Sequence, residues 1–167
     1  MIIFQTASGS NGGGIIHAGL FDKVTCTTFK SSEYIHNLNR TLQSEMRAIA
    51  TYQNSSASGE PNCSDKAAEH QHCARELVRI IIANRGIPED ATVLKNALLP
   101  PLVKAYKAFP DQLQKQMLLR TLLQIEKRLH SKYESLIDQA PSRDRLDIRA
   151  LANKSELRIE EISKLLS

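Results

Sequence analysis

The sequence predicts an all-α protein, an antiparallel four-helix bundle, from three observations. Apolar residues recur at the three- and four-residue spacing of amphipathic helices over most of the chain. Leu, Ile, Val and Ala supply most of the apolar content, because the 167 residues include no Trp and only four Phe and four Tyr. The predicted helices are joined mostly by short loops, which place consecutive helices antiparallel. A chain of this length suits one domain with a single core.

The first 30 residues differ from the rest of the chain. They are rich in Gly, Ser and Thr, with three consecutive glycines at 12–14 and a short β-favouring run at 24–29. This composition predicts an irregular N-terminal arm over residues 1–30, followed by the bundle over residues 31–140.

Two helices are predicted in the first half of the bundle. The first begins at Ser31 and Ser32, which are good N-caps, and ends near Asn54. The second begins at Ser64 and ends at Gly86, with a left-handed glycine as its expected terminator and a proline two residues beyond.

The second half of the chain is predicted to contain two further helices and a tail. A third helix covers residues 90–109, although consecutive prolines at 100 and 101 must kink or restart it. A fourth covers residues 110–139. Residues 141–167 form a tail of two short helices, 144–153 and 156–166, with Ser155 as the cap between them.

Several polar residues interrupt the apolar faces of these helices. At 100° per residue, Glu45 lies inside the apolar stripe of the first helix and Glu126 inside that of the fourth. His70 and His130 lie at the edges of the stripes, whereas Glu69 projects to the opposite side. A carboxylate on an apolar face needs a partner, because burying an unpaired charge is costly.

Three segments resemble the ferritin-like, rubrerythrin-related proteins, and are closest to their small bacterial branch. They are residues 38–42 with Glu45 and Tyr52, residues 84–88, and residues 123–127 with Tyr133. The resemblance spans residues 33–140 and implies a ferritin-like bundle. In that superfamily a di-iron centre takes one Glu from each of two helices and Glu-x-x-His from each of the other two.

The resemblance implies site residues and a cofactor. Glu45 and Glu126 match the acidic ligand positions, His70 or His130 would supply imidazole, and Tyr52 and Tyr133 would donate hydrogen bonds to the ligands, with iron as the metal.

The sequence departs from that pattern at two points. Residues 92–109 contain no Asp or Glu, and Glu126 and His130 are separated by four positions instead of three. The resemblance therefore implies a degenerate metal site and no particular reaction. The alternative is a non-enzymatic helical interaction protein in which Glu45 joins a polar network with Tyr52, Tyr133 or His70.

Two other sites compete with these interpretations. His70 and Cys73 could hold zinc with Cys63, although a buried structural cysteine explains the same residues. The tail resembles a DNA-binding helix-turn-helix with Ala152, Leu157 and Ile162 buried. Glu160 and Glu161 on its second helix would repel phosphates, so nucleic-acid binding is not expected.

Location and partners follow from composition. The three cysteines have no metal-finger spacing and the start of the chain has no secretory pattern, which predicts a cytoplasmic protein. No apolar run approaches the roughly 18 residues of a membrane span. The net charge of +4 is spread among acidic residues along the whole chain. The tail is expected to pack across the bundle or to join a partner in a homodimer.

Overall fold

The computed structural model describes residues 18–56, 62–89 and 111–167. All regular structure in these ranges is helical. The four helices are α1 (Ala18–Ser56), α2 (Cys63–Ala83), α3 (Asp111–Gln139) and α4 (Ser142–Leu166). The glycine run at 12–14 and the predicted helix over 90–109 lie outside the described residues.

The four helices form one bundle, in which α1 packs along α2, α3 packs along α4, and α1 contacts α3. The side chain of Asn39 in α1 donates to the carbonyl of Ile87, just beyond α2. Asn37 donates to Gln139 at the end of α3. Since α2 and α3 both run antiparallel to α1, they are parallel to each other.

Two boundaries differ from those predicted. Helix α1 begins at Ala18, inside the segment predicted to be an irregular arm. The predicted tail is the fourth helix of the bundle: α4 is continuous from Ser142 to Leu166, and its Ile148, Leu151 and Ala152 belong to the main apolar cluster. Ser155, predicted to be a cap, lies buried in the middle of this helix.

The continuous α4 also shows that the helix-turn-helix interpretation of the tail is wrong. That motif needs a turn between its two helices, near Ser155, where α4 has none. Leu157, expected to be buried in such a motif, is 58% exposed.

The core consists of two apolar clusters with a polar layer between them. One cluster contains Leu38, Leu77 and Leu136, and the other contains Ala48, Ala67 and Leu122. Each helix passes through both clusters, so each carries one short segment in the layer between them. That layer holds most of the buried charged side chains; Asp144, at the start of α4, is buried outside it and accepts hydrogen bonds from Tyr34 and Asn84.

No helix in the described parts of the chain has the length and apolar character needed to cross a membrane.

The end of α2 differs from the predicted left-handed glycine. Arg85, not Gly86, has the positive φ, at 61°. Gly86 is required for a different reason: a Cβ atom there would lie 2.7 Å from Cγ2 of Ile35 and 2.9 Å from Cγ2 of Ile81. The glycine therefore allows the end of α2 to approach α1 closely.

Gly86→Ala should destabilise the protein by about 1–3 kcal/mol, since the added methyl group would overpack the contact with Ile35. Urea unfolding measures the change. Arg85→Gly is the control and should not lower stability, because glycine relieves the left-handed strain of that position. Equal stability of Gly86→Ala and wild type would contradict the close packing.

Candidate functional site

Four ionisable side chains, one from each helix, meet between the two apolar clusters. They are Glu45 of α1, His70 of α2, Glu126 of α3 and Arg158 of α4. The first three are 0% exposed and Arg158 is 1% exposed. We refer to these four residues as the ion cluster.

His70 bridges the two carboxylates. Its Nδ1 lies 2.6 Å from Oε2 of Glu45 and its Nε2 lies 2.8 Å from Oε1 of Glu126. An ionised carboxylate can only accept a hydrogen bond, so both ring nitrogens carry protons when both carboxylates are ionised. Burial lowers the pKa of His70, but the hydrogen bonds and negative charges of the two glutamates raise it overall. The two short contacts and the raised pKa both favour the imidazolium form of His70.

Arg158 supplies the second positive charge. Its Nε donates to Oε2 of Glu126 at 3.0 Å. Burial opposes the charged form of Arg158, while Glu126 and Glu45 raise its pKa overall. For Glu126, burial raises the pKa, but His70 and Arg158 lower it to a net value below the usual range. The cluster thus contains two carboxylates and two cations and is electrically neutral.

Two tyrosines complete the hydrogen bonds of the carboxylates. Tyr52 donates to Oε1 of Glu126 at 2.9 Å, and Tyr133 donates to Oε1 of Glu45. Burial, followed by the adjacent carboxylates, raises the pKa of both phenols. The tyrosines are therefore protonated donors, and every carboxylate oxygen of the cluster accepts at least one hydrogen bond.

Cys73 and Ser155 line the same layer and are fully buried. Burial, together with the charge of Glu45, raises the pKa of the Cys73 thiol to about 11, so it is protonated near neutral pH. The hydroxyl of Ser155 donates to the backbone carbonyl of Glu126 at 3.4 Å.

The structure brings together five of the six site residues predicted from the sequence: Glu45, Glu126, His70, Tyr52 and Tyr133. His130 lies elsewhere. It is partly buried, its Nδ1 is 3.3 Å from the carbonyl oxygen of Ala152, and its Nε2 is 4.0 Å from a carboxylate oxygen of Glu134.

The zinc interpretation is not supported by the positions of its ligands. Cys63 and Cys73 are both buried and neither forms a disulfide, but they belong to different apolar clusters. Among the described residues, no three His, Cys, Asp or Glu side chains are arranged to hold a metal ion.

Arg158 was not predicted from the sequence. The sequence nevertheless contains a pattern that places Arg158 on a buried helix face. The buried residues of α4 recur at helical spacing, and they include Ile148, Leu151, Ala152, Ser155, Arg158 and Ile162. Ser155 and Arg158 are polar and interrupt the apolar pattern of that face. For this reason the sequence predicts two short helices where the structure has one.

One solved structure matches this arrangement of helices along most of the chain. It is the crystal structure of "ferritin like, diiron-carboxylate proteins" from Bacillus anthracis str. Ames, with a TM-score of 0.65 and 20% sequence identity, covering 83% of this chain and 98% of that one. This chain has the ferritin-like fold. The match confirms the fold predicted from the sequence, and at this identity it concerns the fold alone. No family model matches the sequence, and no curated protein matches it.

His70→Gln should destabilise the ferritin-like bundle by about 3–5 kcal/mol, because it leaves two buried carboxylates with one cation. Denaturant unfolding measures the loss. His72→Gln is the matched control: His72 is exposed on the same helix, so its change should stay within about 0.5 kcal/mol. Similar small effects of both substitutions would show that His70 is not a charged bridge.

The contribution of the cluster to stability should depend on pH in both directions. Because the folded-state pKa of His70 is raised, its contribution is complete below the unfolded value of about 6.5 and is lost as pH rises through the folded value. Because the pKa of Glu126 is lowered, its contribution is complete above about 4.3 and is lost as pH falls through the folded value.

The stability difference between wild type and His70→Gln should therefore be largest between about pH 4.3 and pH 6.5 and shrink above that range. Urea unfolding of both proteins across the pH range measures it. A difference that grows with rising pH would contradict the assigned charge of His70.

Proposed function

We propose that this protein is a non-enzymatic ferritin-like bundle in which the ion cluster replaces a metal centre. The observation that carries the proposal is the position of His70, whose two ring nitrogens lie within hydrogen-bond distance of Glu45 and Glu126 and favour the imidazolium form. A metal ligand must offer a lone pair, and an imidazolium has none.

The positions of the cluster residues support this replacement. In the di-iron pattern two helices each supply a Glu, as α1 and α3 do here with Glu45 and Glu126. The other two helices supply Glu-x-x-His. At the same three-residue spacing, α2 presents His70 and Cys73 and α4 presents Ser155 and Arg158, all of them buried. Neither pair is the Glu-x-x-His that the pattern requires.

The charges of the site also do not fit two iron ions. Two carboxylates remain of the four in the di-iron pattern, and both are already neutralised by His70 and Arg158. A guanidinium bonded to Glu126 would repel an added cation. The donor set therefore suits a proton and a fixed arginine rather than a hard metal ion.

A second candidate function, iron binding, is favoured by one observation: the B. anthracis structure that shares this fold is described as one of diiron-carboxylate proteins. Under that hypothesis Glu45, Glu126 and His70 would be the ligands, as the sequence resemblance implies. His70 would first have to release a proton, and Arg158 would have to leave Glu126.

Elemental analysis separates the two functions. Protein purified without chelators, and again after anaerobic incubation with ferrous iron, should contain far less than one iron per chain, because the lone pairs and charges of the site are already satisfied. Chelator treatment should leave the melting temperature unchanged. Near-stoichiometric iron that disappears in Glu45→Ala would instead establish the metal site.

The proposed role of a non-enzymatic bundle depends on its surface and its partners. The homodimer expected from the sequence stays a prediction, and sedimentation equilibrium at several protein concentrations tests it.

A further inference from the structure

A groove of about 610 Å³ lies between α2 and α4, on the outer side of Arg158. Charged side chains of both helices line it, among them Lys66 and Glu69 of α2 and Lys154 and Glu161 of α4. Arg158 also lines the groove, although it is 1% exposed. Arg158 of the ion cluster thus forms part of the floor of the groove while it remains almost completely buried.

The two terminal nitrogens of Arg158 are buried and lack hydrogen-bond acceptors. Nε is bonded to Glu126, but neither Nη1 nor Nη2 has a hydrogen-bond partner among the described residues. Leaving buried donors unpaired is unfavourable. The two terminal nitrogens form a planar fork whose geometry matches both oxygens of a carboxylate.

A carboxylate of the chain itself already approaches the fork without bonding to it. Oε2 of Glu69 is 3.8 Å from Nη1, which is an ion-pair distance but too long for a hydrogen bond. Lys66 holds the other oxygen of Glu69 at 3.1 Å and also binds Glu161 at 2.6 Å. These two contacts draw Glu69 toward Lys66 and away from Arg158.

The other residues that line the groove indicate the charge that a ligand would carry and the character of its uncharged part. The lining contains three positive side chains, Lys66, Lys154 and Arg158, and three negative ones, Asp65, Glu69 and Glu161. Because these charges balance, a doubly charged phosphate is disfavoured more strongly than an anion with a single charge. Leu157, which is 58% exposed, provides an apolar wall.

We propose that the groove binds a small monocarboxylic acid with a short apolar body, whose carboxylate accepts hydrogen bonds from Nη1 and Nη2 of Arg158. The apolar part would lie against Leu157, and Lys154 would attract the anion. This site is separate from the proposed structural role of the ion cluster, because it uses the two nitrogens of Arg158 that the cluster leaves without a hydrogen-bond partner.

Butyrate is the first probe, titrated into the full-length protein and followed by NMR of the Arg158 Nε–H and the backbone amides of α2 and α4. We expect saturable shifts confined to the groove. Butyramide, the neutral isostere, should give none, and inorganic phosphate should bind more weakly. No saturable shift with butyrate, equal shifts with butyramide, or tighter binding of phosphate would overturn the proposal.

Substitutions at the rim test the electrostatics without disturbing the core. Lys154→Ala should weaken butyrate binding and Glu69→Gln should strengthen it, each by about two- to fivefold. Lys164→Ala is the control, because Lys164 belongs to α4 but does not line the groove. If all three substitutions weakened butyrate binding, or all three strengthened it, the proposal would be overturned.

Arg158→Lys keeps the charge and removes the fork. If circular dichroism shows that this variant is folded, it should lose butyrate binding, and unchanged binding would overturn the proposal. If it does not fold, the opposite effects of Lys154→Ala and Glu69→Gln decide the question.

Discussion

The structure depends on the neutrality of its buried charges. Glu45 and Glu126 enter the core from α1 and α3, and moving each from water costs several kcal/mol. Only an adjacent positive charge with good hydrogen bonds offsets such a cost. Those charges come from the other two helices, as His70 and Arg158. Neutrality is therefore reached only when all four helices are packed together.

This requirement also determines how the helices are aligned along the bundle. In α1, Glu45 stands between Leu42 and Ala48, which belong to different apolar clusters. Sliding a helix by one turn would place its charged residue among leucines and would leave its partners unpaired. Tyr133 and Tyr52 strengthen the constraint, since each gives its hydroxyl to one carboxylate. Apolar packing provides most of the stability, while the ion cluster selects one alignment.

Much of the fold could be predicted from the sequence, because α1, α2 and α3 have long apolar stripes of helical period. Glu45 and Glu126 were recognisable as carboxylates within those stripes. Arg158 was not, for a physical reason: Ser155 and Arg158 serve the cluster, and they break the apolar pattern that would have identified α4 as one helix. His70 was placed at the edge of its stripe because helical spacing alone does not reveal that carboxylates from two other helices meet there.

A pair of metal ions and the ion cluster both neutralise buried carboxylates, but they have different chemical consequences. Metal ions can exchange ligands and electrons, whereas protonated His70 and Arg158 hold the carboxylates without offering an open coordination position. The replacement neutralises the charges but leaves hydrogen bonds unmade. Glu126 uses only Nε of Arg158, and the two remaining nitrogens are buried without a hydrogen-bond partner among the described residues. Arg158 also lines the groove between α2 and α4. Since buried donors favour an acceptor, the incomplete hydrogen bonding of the core favours the binding of a small anion in this groove.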